Sequence, residues 1–125
     1  MTALLLDTHV ALWLLMDAPL SEDARTAVAA PVNAVFLSIV SAWEVAIKQG
    51  RGTLEVQDDY LDLLAGQGVK LLAIRPEHTR TVRDLPHHHR DPFDRMLVAQ
   101  AQVERLTLVT RDERLGQYDV RVLAA

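Results

Sequence analysis

The chain of 125 residues has no cysteine, only 5% aromatics and no surplus of positive charge. Without cysteine there is no disulfide scaffold, Cys-ligated zinc site or thiol nucleophile. With so few aromatics, the core must be aliphatic, drawn from a hydrophobic content of 50%. A long apolar run is also missing. The stretch from Leu4 to Met16 is broken by Asp7 and His9, and the first basic residue is Arg25. A signal peptide needs a positive start and a membrane span about 20 apolar residues, so a cytosolic protein with no membrane partner is expected. Thirteen Lys+Arg against 17 Asp+Glu give a net charge of −4, which argues against a simple basic glove for nucleic acid. High apolar content at modest net charge excludes a disordered chain. The length suits one domain spanning residues 1–125, burying roughly two-thirds of its unfolded surface.

Strand and helix patterns alternate along the chain. Leu4-Leu5-Leu6 is a short buried strand running into a helix that carries Val10, Trp13 and Leu14 and stops at Pro19. Ser21-Glu22-Asp23 supplies a cap and first-turn acids for a second helix. Val35 to Ser38 reads as a strand, Ile39 to Gln49 as a helix with Gly50 at its C-terminal stop, Asp58 to Ala65 as a short acidic helix, and Val69 to Ile74 as a strand. Pro76 fits the first turn of a helix reaching Asp84, and Pro86 to Arg90 form a polar loop. Asp91-Pro92 opens a long helix to Glu104, followed by strands at Leu106–Thr110 and Val120–Leu123. This alternation predicts an α/β fold with a parallel sheet covered on both faces, where ligands bind outside the carboxyl ends of the strands.

Four carboxylates stand out against that frame. Asp7 follows the first strand, where it or Thr8 can cap a helix. Asp112 holds the matching place after the fourth strand, a position that equally suits a turn. Asp94 lies on the apolar stripe of its helix with Leu97, Val98 and Ala101; Asp91 as N-cap and Asp94 at N3 imitate a capping box, but that box prefers Glu or Gln. Glu44 borders the stripe of Val40 and Ile47 and has Lys48 at i+4, an ordinary helix pair. Two carboxylates ~4 Å apart repel by ~4 kcal/mol at an effective dielectric near 20. If the four converge, they need a cation to stay ionised. All-oxygen ligation selects Mg²⁺ or Mn²⁺ over Zn²⁺, and such ions suit phosphodiester chemistry.

Taken in order, Leu4-Leu5-Leu6-Asp7-Thr8-His9, Ser41-Ala42-Trp43-Glu44-Val45-Ala46-Ile47-Lys48, Arg90-Asp91-Pro92-Phe93-Asp94-Arg95-Met96-Leu97-Val98-Ala99-Gln100-Ala101 and Leu108-Val109-Thr110-Arg111-Asp112 resemble the PIN-domain ribonucleases, specifically the VapC-type toxins of bacterial toxin–antitoxin pairs. The likeness spans essentially the whole chain. It implies a three-layer α/β/α domain with a central, mainly parallel sheet and a Mg²⁺- or Mn²⁺-dependent endoribonuclease with Asp7, Glu44, Asp94 and Asp112 in its pocket. Asp7 and Asp94 match the most regular metal-ligand positions. Glu44 matches a ligand or water-orienting position, and Asp112 the most variable acid, whose contact can run through water. Asp91 is kept as a cap that supports the site. An activated water would attack the phosphodiester in line, leaving 3′-hydroxyl and 5′-phosphate ends with no histidine base. Homodimers are also implied, together with a small cognate antitoxin that blocks the pocket and provides any contact with DNA. The chain length leaves no room for an internal inhibitor, so control is expected from that partner.

Other features carry less chemistry. His87, His88 and His89 read as a solvated loop, since adjacent loop residues rarely aim at one ion and no second His or Cys pair completes a zinc site. Residues 75–95 hold five Arg and four acids, a net of +1, so they form no strong basic patch; Arg90 and Arg95 remain candidates for phosphate contacts, with surface pairing the alternative. Gly50-Arg51-Gly52 and Gly66-Gln67-Gly68 are turns rather than phosphate loops. Trp13, Leu14, Leu15 and Met16 read as core, or in part as a partner-binding surface. A non-catalytic phospho-receiver is the competing class. It needs an acceptor Asp ending the third strand and a Lys after the fifth, where this chain has Ile74-Arg75-Pro76 and Leu123-Ala124-Ala125. A haloacid-dehalogenase-type phosphatase needs a second Asp where His9 stands.

Overall fold

The computed structural model describes residues 2–125. Five strands, β1 (Ala3–Leu6), β2 (Ala34–Ser38), β3 (Val69–Leu72), β4 (Thr107–Thr110) and β5 (Val122–Ala124), form one sheet in the order β3-β2-β1-β4-β5. Every adjacent pair is parallel. β1 is central, and its three leucines are at most 1% exposed, as expected of a strand covered on both faces. Because successive side chains point to opposite faces, Leu4 and Leu6 join one core and Leu5 the other.

Six helices complete the layers: α1 (Thr8–Leu15), α2 (Glu22–Ala29), α3 (Ile39–Gly50), α4 (Tyr60–Gly66), α5 (Pro76–Asp84) and α6 (Pro92–Glu104). Val10, Ala11 and Leu12 of α1, Ala24 of α2, Val45 of α3 and Leu64 of α4 pack on the Leu4/Leu6 face. Leu97, Val98 and Ala101 of α6, with Val82 of α5, pack on the Leu5 face. This is the expected three-layer α/β/α arrangement, and its sheet is wholly parallel. None of the described helices is long and apolar enough to cross a membrane.

Local chemistry accounts for most helix starts. Ser21 Oγ accepts from Ala24 N–H at 3.0 Å, and Ser38 Oγ caps α3 through Val40 N–H at 3.0 Å. Pro76 and Pro92 occupy first-turn positions, where a missing N–H costs nothing. Several boundaries differ from the sequence expectation. Gly50 lies inside α3, and the left-handed turn falls at Gly52, φ 71°. β3 ends at Leu72 rather than Ile74, because its partner β2 ends opposite it at Ser38; the Ala73 carbonyl beyond accepts from Gln100 Nε2. α6 ends on Arg105 with φ 58°, a left-handed stop without glycine. β5 begins at Val122, two residues late, after a 3₁₀ turn at Glu113–Gln117 that lacks a clear sequence signature.

The order 3-2-1-4-5 makes the chain leave β1 toward β2 and return on the other side at β4, which opens a crevice at the carboxyl ends of β1 and β4. The central strand is also the most sensitive point of the core. Leu5→Ala is expected to cost about 2–5 kcal/mol through cavity formation; urea denaturation measures it, and a loss below 1 kcal/mol would contradict this packing.

Candidate active site

Asp7 emerges from β1 with its N–H bonded to the Val109 carbonyl at 2.9 Å. It stands at the N-cap position of α1, but its side chain makes no capping bond. Instead Oδ2 accepts from Thr110 Oγ1 at 2.7 Å. Burial is the main reason its carboxyl is pushed above the ordinary carboxylate range. Thr8 does not cap either. Its hydroxyl donates to Glu44 Oε1 at 2.7 Å and lies 2.8 Å from Ser41 Oγ.

Glu44 is 4% exposed, and its second oxygen accepts from Lys48 Nζ at 2.7 Å. The helix pair anticipated for Glu44 therefore exists, and it points Glu44 into the crevice. Asp112 likewise has two roles. Oδ1 caps the 3₁₀ turn through Arg114 N–H at 3.0 Å, and the Arg114 guanidinium closes a fork on both carboxylate oxygens at 3.0 and 2.8 Å. That arginine holds Asp112 at about 2. Asp112 N–H donates to Thr110 Oγ1 at 3.0 Å, so one threonine hydroxyl ties Asp7 to Asp112. Asp91 caps α6 as expected, accepting from the N–H groups of Phe93 at 2.8 Å and Asp94 at 3.3 Å.

Asp94 completes the group. Burial, followed by the charges of Asp7, Asp91, Glu44 and Asp112, raises it to about 7. Asp7, Glu44, Asp91, Asp94 and Asp112 line one pocket of about 370 Å³, with His9, Trp13, Lys48, Arg111 and Arg114 around it. Five carboxylates thus face three fixed cations. Lys48 is engaged with Glu44 and Arg114 with Asp112. Arg111 stacks 4.1 Å over the Trp13 ring and donates to the carbonyls of Pro19 and Ala125. Among the described residues no Lys or Arg pairs with Asp7 or Asp94. These two acids, raised by burial, oxygen-bearing and without a Lys or Arg partner, fit a divalent ion.

His89 is the residue that the sequence reading misplaced. His87 and His88 are exposed as expected, but the His89 side chain is only 7% exposed and enters the site. Its Nε2 hydrogen-bonds Asp112 Oδ2 at 3.3 Å and lies 3.0 Å from Asp94 Oδ2. One ligand atom each from His89, Asp94 and Asp112 fall within 4.8 Å of one another. The anchor is Tyr118, whose hydroxyl accepts from His89 N–H at 3.0 Å across 29 residues, a contact invisible in local sequence.

Arg90 and Arg95 lie outside the pocket. Arg95 donates to the carbonyls of Pro86 at 2.7 Å, Val82 at 3.2 Å and Leu85 at 3.4 Å, and to the Tyr118 hydroxyl, which fixes the histidine loop. Arg90 is exposed and borders a separate apolar groove with Trp43 and Phe93. Trp13, Leu14 and Leu15 are half-buried against the core, while Met16 is exposed. β3 ends without an acid, since Ala73 and Ile74 follow it, and the acids gather at β1 and β4, which does not suit a phospho-receiver.

Acidic side chains gathered at the switch point of an all-parallel sheet define an α/β protein whose centre could hold a metal ion. The model of the PIN domain family matches residues 4–121, and the chain belongs to that family. Solved structures with this fold include VapBC2 from Rickettsia felis bound to a DNA fragment from its promoter (15% identity, TM-score 0.77, 98% of each chain covered). DNA-bound VapBC from Salmonella typhimurium also matches (15% identity, TM-score 0.69, covering 99% of this chain and 98% of the other). At such identity the likeness is one of fold. No curated protein sequence matches the chain significantly.

Two predictions follow from this geometry. Folded Asp94 keeps a proton up to about pH 7 that the unfolded chain releases near pH 4, so the metal-free protein loses stability as pH rises through this window. A divalent ion bound there would displace that proton, so Mg²⁺ should raise Tm more at pH 8 than at pH 5; equal shifts in thermal melts would contradict the assignment. Arg95→Met should cost about 1–3 kcal/mol by orphaning the loop carbonyls, measured by urea denaturation.

Proposed function

We propose that this chain is a Mg²⁺- or Mn²⁺-dependent endoribonuclease acting as the toxin of a toxin–antitoxin pair in the cytoplasm. The observation that carries the proposal is Asp94. Burial, then four neighbouring acids, push it to about 7 in an open pocket, an arrangement that is costly unless a cation occupies the centre. Asp7 and Asp94 would hold that ion directly. Glu44 would ligate it or orient the water, and Asp112, already forked to Arg114, would reach it through water. When bound, the ion supplies charge neutralisation and Lewis-acid polarisation of the phosphodiester.

The chain's own groups do the rest. Lys48 and Thr8 fix Glu44 so that it can accept a hydrogen bond from the attacking water, with no histidine acting as base. Lys48, Arg111 and Arg114 at the rim offer positive charge to the phosphate backbone. Arg90, exposed beyond the pocket, remains a candidate contact for more distant RNA, whereas Arg95 acts on substrate only through the loop that it fixes. In-line attack on phosphorus expels the O3′ oxygen, leaving 5′-phosphate and 3′-hydroxyl ends. The match to DNA-bound VapBC structures supports a protein partner, read here as an antitoxin that holds the chain in check and provides any contact with DNA; a homodimer is part of the same proposal.

The test is RNA cleavage by the purified chain with Mg²⁺ or Mn²⁺. EDTA is expected to abolish it, and Asp94→Asn to reduce it by about 100-fold or more, the scale of losing one electrostatic contact at a reacting centre, while the fold is kept. Undiminished cleavage by Asp94→Asn would overturn the assignment.

A further inference from the structure

His89 can meet a metal in two ways: as a nitrogen ligand, or as an N–H donor that holds the ligands. The contacts of its two ring nitrogens distinguish these. Nδ1 lies 3.2 Å from Asp91 N, whose N–H can only donate. Nδ1 must therefore present its lone pair, and in the neutral ring the hydrogen sits on Nε2. Nε2 is the atom that faces the two carboxylates, bonded to Asp112 Oδ2 at 3.3 Å with Asp94 Oδ2 3.0 Å away. An Nε2 that carries hydrogen has no lone pair for an ion.

We infer that His89 is a positioning residue that donates from Nε2 to the Asp112 carboxylate, with the Asp94 carboxylate beside the same N–H, in a tautomer set by the Asp91 backbone amide, and thereby keeps the centre all-oxygen. The inference rests on the metal-dependent reading above and adds to it a basis for ion choice. A bare Nε2 would create a mixed nitrogen–oxygen centre, which suits Zn²⁺, whereas an N–H donor leaves a carboxylate centre, which suits Mg²⁺ and Mn²⁺. One contact holds the ring, one its backbone, and one the tyrosine that anchors it. The Tyr118 hydroxyl accepts from its backbone N–H, the Asp91 amide donates to Nδ1, and the His88 ring packs edge-on against Tyr118 at 5.0 Å. Outer hydrogen bonds of this kind are commonly worth 10–100-fold in metal affinity.

The experiment uses ¹⁵N-labelled protein at pH 8 and needs no variant for its first readout. Long-range ¹H–¹⁵N correlation should show His89 protonated at Nε2 and bare at Nδ1, both without metal and with Mg²⁺. Mn²⁺ titration followed by EPR should show affinity falling by about 10–100-fold in His89→Ala. His89→Gln, whose amide can donate from the place of Nε2, should recover most of it. In the Mn²⁺-loaded wild type, electron spin-echo spectra should lack a directly bound nitrogen. A bare Nε2, a coupled nitrogen that disappears in His89→Ala, or unchanged Mn²⁺ affinity in His89→Ala would each overturn the inference. The expected readouts without any RNA cleavage would remove the nuclease reading and leave the role of His89 standing.

Discussion

The parallel pairing of β1 with β4 is the contact on which the site depends. Leu6 stands beside Val109, and the Asp7 N–H extends the ladder to the Val109 carbonyl, so the strands end level at Asp7 and Thr110. Thr110 Oγ1 then donates to Asp7 and accepts from the Asp112 amide. A single hydroxyl thereby fixes two acids whose charges oppose such an approach. The repulsion is sustained because Leu4, Leu5 and Leu6 are clamped between two helix layers and cannot shift register without turning each side chain to the other face.

Charge compensation falls off toward the centre of the pocket. Asp112 at the edge is forked by Arg114 and held at about 2. Glu44 on the opposite wall has Lys48 and the Thr8 hydroxyl. Asp7 and Asp94, between them, are raised above the ordinary carboxylate range, mainly by burial. Groups perturbed by both desolvation and specific charge neighbours cluster at functional sites. The gradient here also separates an outer frame of compensated acids from an inner pair whose ionisation the surroundings oppose.

What was legible in the sequence follows the range of the interactions involved. β1 announces itself through three consecutive leucines, and α6 through Asp91-Pro92, because burial on two faces and capping are local requirements. The four acids could be found because each is anomalous in its own segment, lying at a strand end or on an apolar stripe. Arg105 ends α6 with no glycine to mark the place, and the 3₁₀ turn after Asp112 follows from packing of Leu115 and Tyr118. His89 was hidden for the same reason. In sequence it is one of three histidines in a polar loop, and only Tyr118, far along the chain, draws it under Asp112. Arg95 resembled a phosphate contact because its partners are carbonyls, which have no sequence signature.

Capping and a place in the pocket are often weighed as rival accounts of an acid at a helix start, but here they coexist. Capping uses Oδ1 of Asp91 and of Asp112, and Asp112 Oδ2 remains turned toward His89. A carboxylate has enough lone pairs for both tasks, and the partial positive charge at a helix N-terminus offsets some of the local repulsion. The same economy marks the placement of positive charge in a chain of net charge −4. Its cations stand at the rim, as Lys48, Arg111 and Arg114 do, and the acids lie within the pocket, where the proposed divalent ion would offset them.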